Sequence, residues 1–436
     1  MEGSKYTRGK LLKIAGGATA AVTFGGLGGV AHGRIFKPTG PASRRATKIV
    51  LGVGAWSKDS HRKVLDQLGF TKKTGIEVEI KVRPGDPAGF ITQMTSAIQA
   101  GTTPYDVIDF EDEAATTFSR ARWLLPLNGV VSKGFWADWP KGMIDLTNLW
   151  DRYDGELFRI HHNFEAQYFW YRKDWFDMKG AKAHKNWADV AKLGKVFTDQ
   201  GKKVWATEDG LQTGTAFLQV YLGYLTRQAG GDPFKVDDKY QEALEYLHDL
   251  MYKHKALNPA SLQKNYDAQN ADYVADRVAF MRQWPFFYDV VRTSGKKGWF
   301  KPSKAVIELP PIGPGGKKVS TYAAGWGYGV PKTTKQKAAA MELVEFLVAT
   351  ENAGKMAKID TWYLSARKSV LAAKGNEGMA PFLKKYTKAG VITTRPFHPK
   401  FVEAWDAISR PAAGFLTNQM SIEKAMKEAR KAIAKV

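Results

Sequence analysis

Three short stretches hold the residue types that could do chemistry. "DFEDE" places Glu111 and Asp112 directly after Phe110, with Glu113 next, and "HHNFE" places His161 and His162 shortly ahead of Glu165. "VAFMRQWPFF" runs through apolar Val278–Met281 into Arg282, Gln283 and Trp284. Pro285 cannot donate to a sheet ladder, so a strand there must end, leaving an indole flanked by polar groups at its mouth. Two carboxylates such as Glu111 and Glu165 could serve as acid and base on a glycosidic bond. His161, His162 and Glu165 are metal-ligand types, but neighbouring residues of a strand point to opposite faces, and no HExxH or EF-hand spacing accompanies them. No metal or cofactor is therefore expected. There is no G-x-S-x-G elbow and no P-loop. The absence of cysteine excludes thiol nucleophiles, disulfides and a lipidated N-terminal cysteine.

The surrounding pattern predicts the elements that must hold these groups. "KIVLGVGAW", "IEVEIKV" and "YDVIDF" read as strands, with Trp56 and then Phe110, Glu111 and Asp112 falling just after two of them. "HRKVLDQLGFTKKTG", "PAGFITQMTSAIQAG" and "EAATTFSRARWLLPL" read as the alternating helices. This alternation predicts a doubly wound α/β sheet, in which ligands sit beyond the carboxyl ends of the strands. From about Phe164 to Tyr322 the chain is richer in helix, with a single strand around "VAFM". "AAGWGYGVPK" then reads as one strand and "AAAMELVEFLVATENAGKMA" as one long helix. A final amphipathic helix starts at Ser421, a natural cap.

The chain has 436 residues, 44% of them hydrophobic and 25% charged, enough for two or three folded units. The net charge is +22, and the first 48 residues carry nine Lys or Arg against one acid. Elsewhere Lys and Arg are scattered rather than clustered, which argues against a nucleic-acid partner. Residues 1–45 read as an export signal and linker: a basic start, then the Gly/Ala-rich "IAGGATAAVTFGGLGGVA". "TRGKLLK" is similar to a twin-arginine motif with glycine at the second arginine, so the export route stays open, as does a reading of the segment as an anchor. The reading favoured is export to the periplasm.

Six segments, in order, resemble the bacterial ABC-transporter extracellular solute-binding proteins of the maltose-binding type, from about Lys48 to the C-terminus. They are "MTSAIQAGTTPYDVIDF", "RWLLPLNGVV" (Asn128 where an acid is usual), "LFRIHHNFEAQYFWYRKDWF", "YVADRVAFMRQW", "AAGWGYGVPKTTKQKAAAMELVEFL" and "WYLSARKSV". In the third, Arg172 stands for the usual asparagine and His161 for proline. In the fourth, Asp276 and Arg277 replace Gly-Lys.

The resemblance implies a two-lobed periplasmic-binding-protein fold of type II, each lobe a doubly wound α/β sheet flanked by helices. Three hinge crossings should fall near 163–166, 323–325 and 360–363. Lobe 1 would be 46–163 plus 325–359, and lobe 2 164–324 plus 360–436. It also implies a monomeric receptor that takes a carbohydrate or polyol in the cleft and passes it to ABC permease subunits in the inner membrane. A pyranose offers an apolar C–H face to an indole and hydroxyls to bidentate polar groups. Trp284 falls on the stacking position with Arg282 beside it, and Glu165 on a hinge carboxylate. Phe110 falls on a first-lobe aromatic, and Glu111, Asp112 or Glu113 on a nearby acid. Trp326, Trp362 and Tyr363 stand at the other crossings, and Trp56 at ligand height. Two alternatives stay open. Arg172, Arg282, Arg367 and Arg395 would suit an acidic or phosphorylated sugar, and Glu111 with Glu165 would suit a secreted glycan-active enzyme.

Overall fold

The structure, a computed structural model, describes residues 47–436 apart from 133, 164, 295–298, 300–303, 315–320 and 375–379. The expected export signal therefore lies outside the described residues. Among the described residues, no helix is long and apolar enough to cross a membrane.

The first sheet centres on Val107–Glu111, buried along its whole length, while the outer strand Ile76–Val82 alternates apolar residues with Glu77, Glu79 and Lys81. Thr47–Val53 pairs in parallel with Ile76–Val82 on one side and Val107–Glu111 on the other. Trp326–Gly329 then adds antiparallel to Val107–Glu111, and Ile160–His161 closes the order. Ile49, Leu51, Val53, Val107 and Ile108 are fully buried beneath the helices Lys58–Leu68, Pro87–Gln99 and Asp112–Arg120. The first helix stops where Gly69 takes a left-handed φ of 69°, a conformation costly for any residue with a Cβ. A second, five-residue helix, Phe70–Thr74, follows it, so the expected continuous helix to Gly75 is two pieces.

A second sheet holds Val306–Glu308, Tyr168–Tyr171, Val278–Gln283 and Trp205–Thr207 in that order. Val278–Gln283 is buried along its whole length and ends before Pro285, as its sequence predicts. The helix-rich middle thus contains more strand than the one expected. The extra strands are only three or four residues long, too short to carry a periodic signal. Around this sheet pack Ala216–Gln228, Asp238–Tyr252 and Phe401–Leu416, joined through fully buried Leu222, Leu244, Leu247 and Ile408.

A third, small sheet joins Ile392–Thr394, Thr321–Ala324 and Glu165–Ala166. The stretch expected as one strand from Ala323 is therefore two: Thr321–Ala324 belongs to this sheet and Trp326–Gly329 to the first. Gly325 sits at the switch. A Cβ there would lie 2.6 Å from the His161 ring and 2.8 Å from the Asn163 carbonyl, so only glycine lets the two segments pass. Likewise the long helix expected from Ala338 is broken at Ala349, whose ψ of 134° separates Lys337–Val348 from Thr350–Ile359.

Candidate functional site

The carboxyl ends of the three parallel strands of the first sheet deliver three side chains to one edge. Trp56 lies in the turn Ala55–Ser57 after the first strand, Arg83 directly follows Ile76–Val82, and Glu111 ends Val107–Glu111. The antiparallel neighbour starts at that same edge with Trp326, which pairs opposite Glu111. Strand order switches direction here, which is where α/β sheets hold ligands.

The indoles form a chain. Trp56 meets Trp326 edge-on with centroids 5.4 Å apart, and Trp326 meets Trp362 at 5.2 Å. Trp56 is 50% exposed, an unusual state for so large an apolar group, and its ring folds back over Gly54, where a Cβ would lie 2.5 Å from it. The Trp326 amide donates to Asn163 Oδ1 at 2.8 Å, tying this indole to the segment between the first and third sheets. Trp362 is seated by its amide donating to Asp360 Oδ1, and Asp360 in turn pairs with Lys63.

Arg83 links the aromatics to the acids. Its guanidinium lies 5.5 Å from the Trp326 ring centroid and 4.3 Å from that of Phe90, and donates to Glu111 Oε2 at 3.0 Å and to the Asp109 carbonyl at 2.8 Å. Burial pushes the Glu111 carboxyl up to about 7; Arg83 opposes that shift and the charge of Glu113 adds to it. At neutral pH this group can both donate and accept, a useful property toward a hydroxyl.

Asp112 is placed differently. It accepts from Arg159, from His161 Nε2 at 3.1 Å, from the Gly325 amide at 3.1 Å and from Arg395 at 3.4 Å. Burial works to raise its carboxyl, but Arg159, the His161 hydrogen bond and Arg395 outweigh it and hold the group well below the usual carboxylate range. Asp112 is a buried junction between segments. Phe110 is likewise core, packed between Phe90 and Phe118 under Arg159. Tyr363 is buried against His61 and His162.

In the second sheet, Arg282 is sealed in a two-pronged pair with Asp209 at 2.8 and 3.2 Å, donates to Gln167 and lies over the Tyr221 ring. Trp284 is 7% exposed and packs within the hydrophobic core, its amide donating to Gln283 Oε1. Glu165 pairs through its backbone opposite Ala324, next to Gly325; its side chain lies outside the described residues. Of the ten expected residues, the structure thus brings Trp56, Trp326, Trp362 and Glu111 together. It sets Phe110, Asp112, Arg282, Trp284 and Tyr363 into buried packing.

The adjacent histidines do diverge: His161 Nδ1 reaches Asp151 at 2.8 Å and its Nε2 reaches Asp112, while His162 turns to Asp109. The four arginines considered for an anion all have carboxylate partners: Arg172 with Asp174 and Asp276, Arg282 with Asp209, Arg367 with Asp138, and Arg395 with Glu113. Sequence reasoning missed Arg83, although its place just past a strand, before Pro84, was a signal. It also missed two buried donors that have no protein partner among the described residues, Asn163 Nδ2 and Gln167 Nε2; the expected Trp362 adds a third, its Nε1.

Comparison with known proteins agrees with this architecture. Solved structures of the same fold include the maltose-bound MalE3 of T. maritima, with TM-score 0.76 at 22% identity over 89% of this chain and all of that one. A solute-binding protein of Agrobacterium vitis with bound D-mannitol matches at 0.72 and 19%, covering 89% of this chain and 98% of its own. One of Agrobacterium radiobacter in complex with ribitol matches at 0.73 and 19%, covering 89% and 99%. Residues 55–354, well over half the chain, match a single family, and the protein belongs to it: the bacterial extracellular solute-binding proteins.

Proposed function

We propose that this protein is the periplasmic receptor of an ABC importer that takes a neutral sugar, oligosaccharide or polyol and delivers it unchanged to the permease. The observation that carries the reading is the line Trp56–Trp326–Trp362 beside the Arg83–Glu111 pair. Indole surfaces suit the C–H faces of a sugar ring, and an arginine–carboxylate pair suits its hydroxyls. Asn163, Gln167 and Trp362 add buried donors that a hydroxylated ligand would satisfy, each otherwise costing about 1–3 kcal/mol. Glu165, whose backbone pairs opposite Ala324 next to the Gly325 switch, stays among the proposed ligand-binding residues. The lobes would be 46–163 plus 325–359 and 164–324 plus 360–436, hinged near 163–166, 323–325 and 360–363.

The reading is supported by the fold's relatives, whose structures hold maltose, D-mannitol and ribitol. Export to the periplasm and a monomeric state follow from the same reading, and no catalysis is assigned. The sugar-acid alternative is weakened because its four candidate arginines are each held by a carboxylate.

A thermal-shift panel of neutral sugars, polyols, sugar acids and sugar phosphates tests this proposal. A ligand at 1,000 times its Kd adds about 4 kcal/mol of stability and should raise the melting point by several degrees. Shifts confined to the charged sugars would sink the neutral-ligand reading. Release of reducing ends from an oligosaccharide would sink the receptor reading itself.

A further inference from the structure

Behind the tryptophans lies a second polar cluster that the receptor reading does not use. His61 comes from the helix Lys58–Leu68, Asp109 from the central strand Val107–Glu111, and His162 from the segment leading out of the first sheet. All three side chains are buried to 3% exposure or less.

His61 Nδ1 lies 2.7 Å from the Ser57 carbonyl, which can only accept, so the proton sits on Nδ1 and Nε2 carries a lone pair. A histidine fixed through one nitrogen to a backbone carbonyl is the usual arrangement of a metal ligand. Its Nε2 faces Asp109 Oδ2 at 3.7 Å and the Tyr328 hydroxyl at 2.9 Å. His162 Nε2 approaches the other oxygen, Asp109 Oδ1, at 2.9 Å. Among the described residues Asp109 Oδ2 has no hydrogen-bond donor, although it is fully buried. A bare carboxylate oxygen in a low-dielectric site costs several kcal/mol unless a positive group meets it.

The neighbouring cluster shows what a satisfied version looks like. Asp112, Asp151 and His161 are also buried together, but there Arg159 donates to both carboxylates. No arginine or lysine reaches the Asp109 carboxylate within ion-pair distance among the described residues.

We propose that His61 Nε2, His162 Nε2 and Asp109 bind a divalent transition-metal ion of the zinc class, with the Tyr328 hydroxyl or a water completing the shell. Two ligands of a tetrahedral zinc, each about 2.0–2.1 Å from the metal, stand roughly 3.3 Å apart. The observed 2.9 and 3.7 Å bracket that value, and the three ligand atoms all lie within 4.8 Å of one another. Imidazole nitrogen with a single carboxylate selects zinc, cobalt or nickel over calcium or magnesium. The ion would tie a helix and a strand of the first sheet to the segment that leaves it, a structural role distinct from ligand capture.

The test uses the full chain, stripped with chelator and titrated with Co²⁺ as a spectroscopic probe. One equivalent should bind with visible d–d absorption, and the melting point of the stripped protein should rise. Asp109→Asn keeps the shape but removes the anionic ligand, and His61→Gln removes a nitrogen; each should abolish both the absorption and the shift. If Asp109→Asn does not fold, the wild-type titration still decides. No stoichiometric cobalt in the stripped wild type overturns the proposal. So does cobalt bound equally well by His61→Gln, which would place the ion on other histidines.

Discussion

Trp326 stands directly across the antiparallel pair from Glu111, so an indole and a carboxyl leave the same face of the first sheet at the carboxyl-end edge of its parallel strands. Arg83 joins them, over the indole and bonded to the carboxylate. This sets an apolar surface beside an arginine–carboxyl pair, with Trp326 and Glu111 held on strands and Arg83 directly after one.

Trp56 is the exposed end of this arrangement, so its contribution should appear in binding and not in folding. Trp56→Ala should weaken binding of the sugar identified by the thermal panel by about tenfold or more, a loss of ~1.4 kcal/mol. The melting point of the empty protein should stay within about 2 °C, since exposed substitutions usually change stability by no more than ~0.5 kcal/mol. Calorimetric titration and a thermal melt of the same preparation check both halves.

Trp284 should behave in the opposite way. Buried against the second sheet's core, its replacement by alanine should destabilise the unliganded protein by about 3–5 kcal/mol, read as a lower urea midpoint. An unchanged midpoint with lost ligand affinity would instead place Trp284 on the ligand.

Arg282 and Asp209 form a sealed pair, and removing one partner leaves an uncompensated buried charge. Arg282→Met should cost about 3–5 kcal/mol, whereas the double replacement Arg282→Met with Asp209→Leu should recover much of that loss. Urea unfolding of the single and double variants gives the coupling directly.

Glu208 offers a pH signature. Burial raises its carboxyl to about 7, against hydrogen bonds from Lys264 Nζ at 2.8 Å and Asn258 Nδ2 at 2.7 Å. Its folded pKa lies above the unfolded value of about 4.3, so the folded state holds the proton more tightly. Its contribution is therefore fully present below pH ~4 and is lost as pH rises through 7. Glu208→Gln should flatten the fall in melting temperature between pH 5 and 8, relative to wild type. An identical slope in the two proteins would contradict the assignment.

Much of this was legible in the sequence, for reasons the residues make plain. Long, strongly patterned segments such as "IEVEIKV", the run from Val278 and the helix around Leu244 declared themselves through periodicity. The chain's place in its family was carried by motif order. What the sequence hid was orientation. Phe110 and Glu111 are neighbours on one strand, so when Glu111 faces the edge with Trp326, Phe110 must face the core with Phe90. Adjacent residues of a strand face opposite ways, and spacing alone did not say which of the two would face the edge. Arginines posed the same problem: a guanidinium that could grip an anion looks, in sequence, like one already held by Asp209 or Asp138. The carboxylate that sets Arg282 aside is 73 residues away in the chain. Asp109 and His61 gave no signal because 48 residues separate them and each reads alone as core, while only the fold brings them together.

The most direct test of the central claim is calorimetric titration of the full chain with neutral sugars and polyols, maltose, D-mannitol and ribitol among them, repeated with Trp326→Ala. The account predicts one-to-one binding of a neutral ligand by the wild type, weakened by about thirtyfold or more in the variant, a loss of ~2 kcal/mol. Binding that survives Trp326→Ala unchanged, with the variant folded, would contradict it and move the site away from the tryptophan edge.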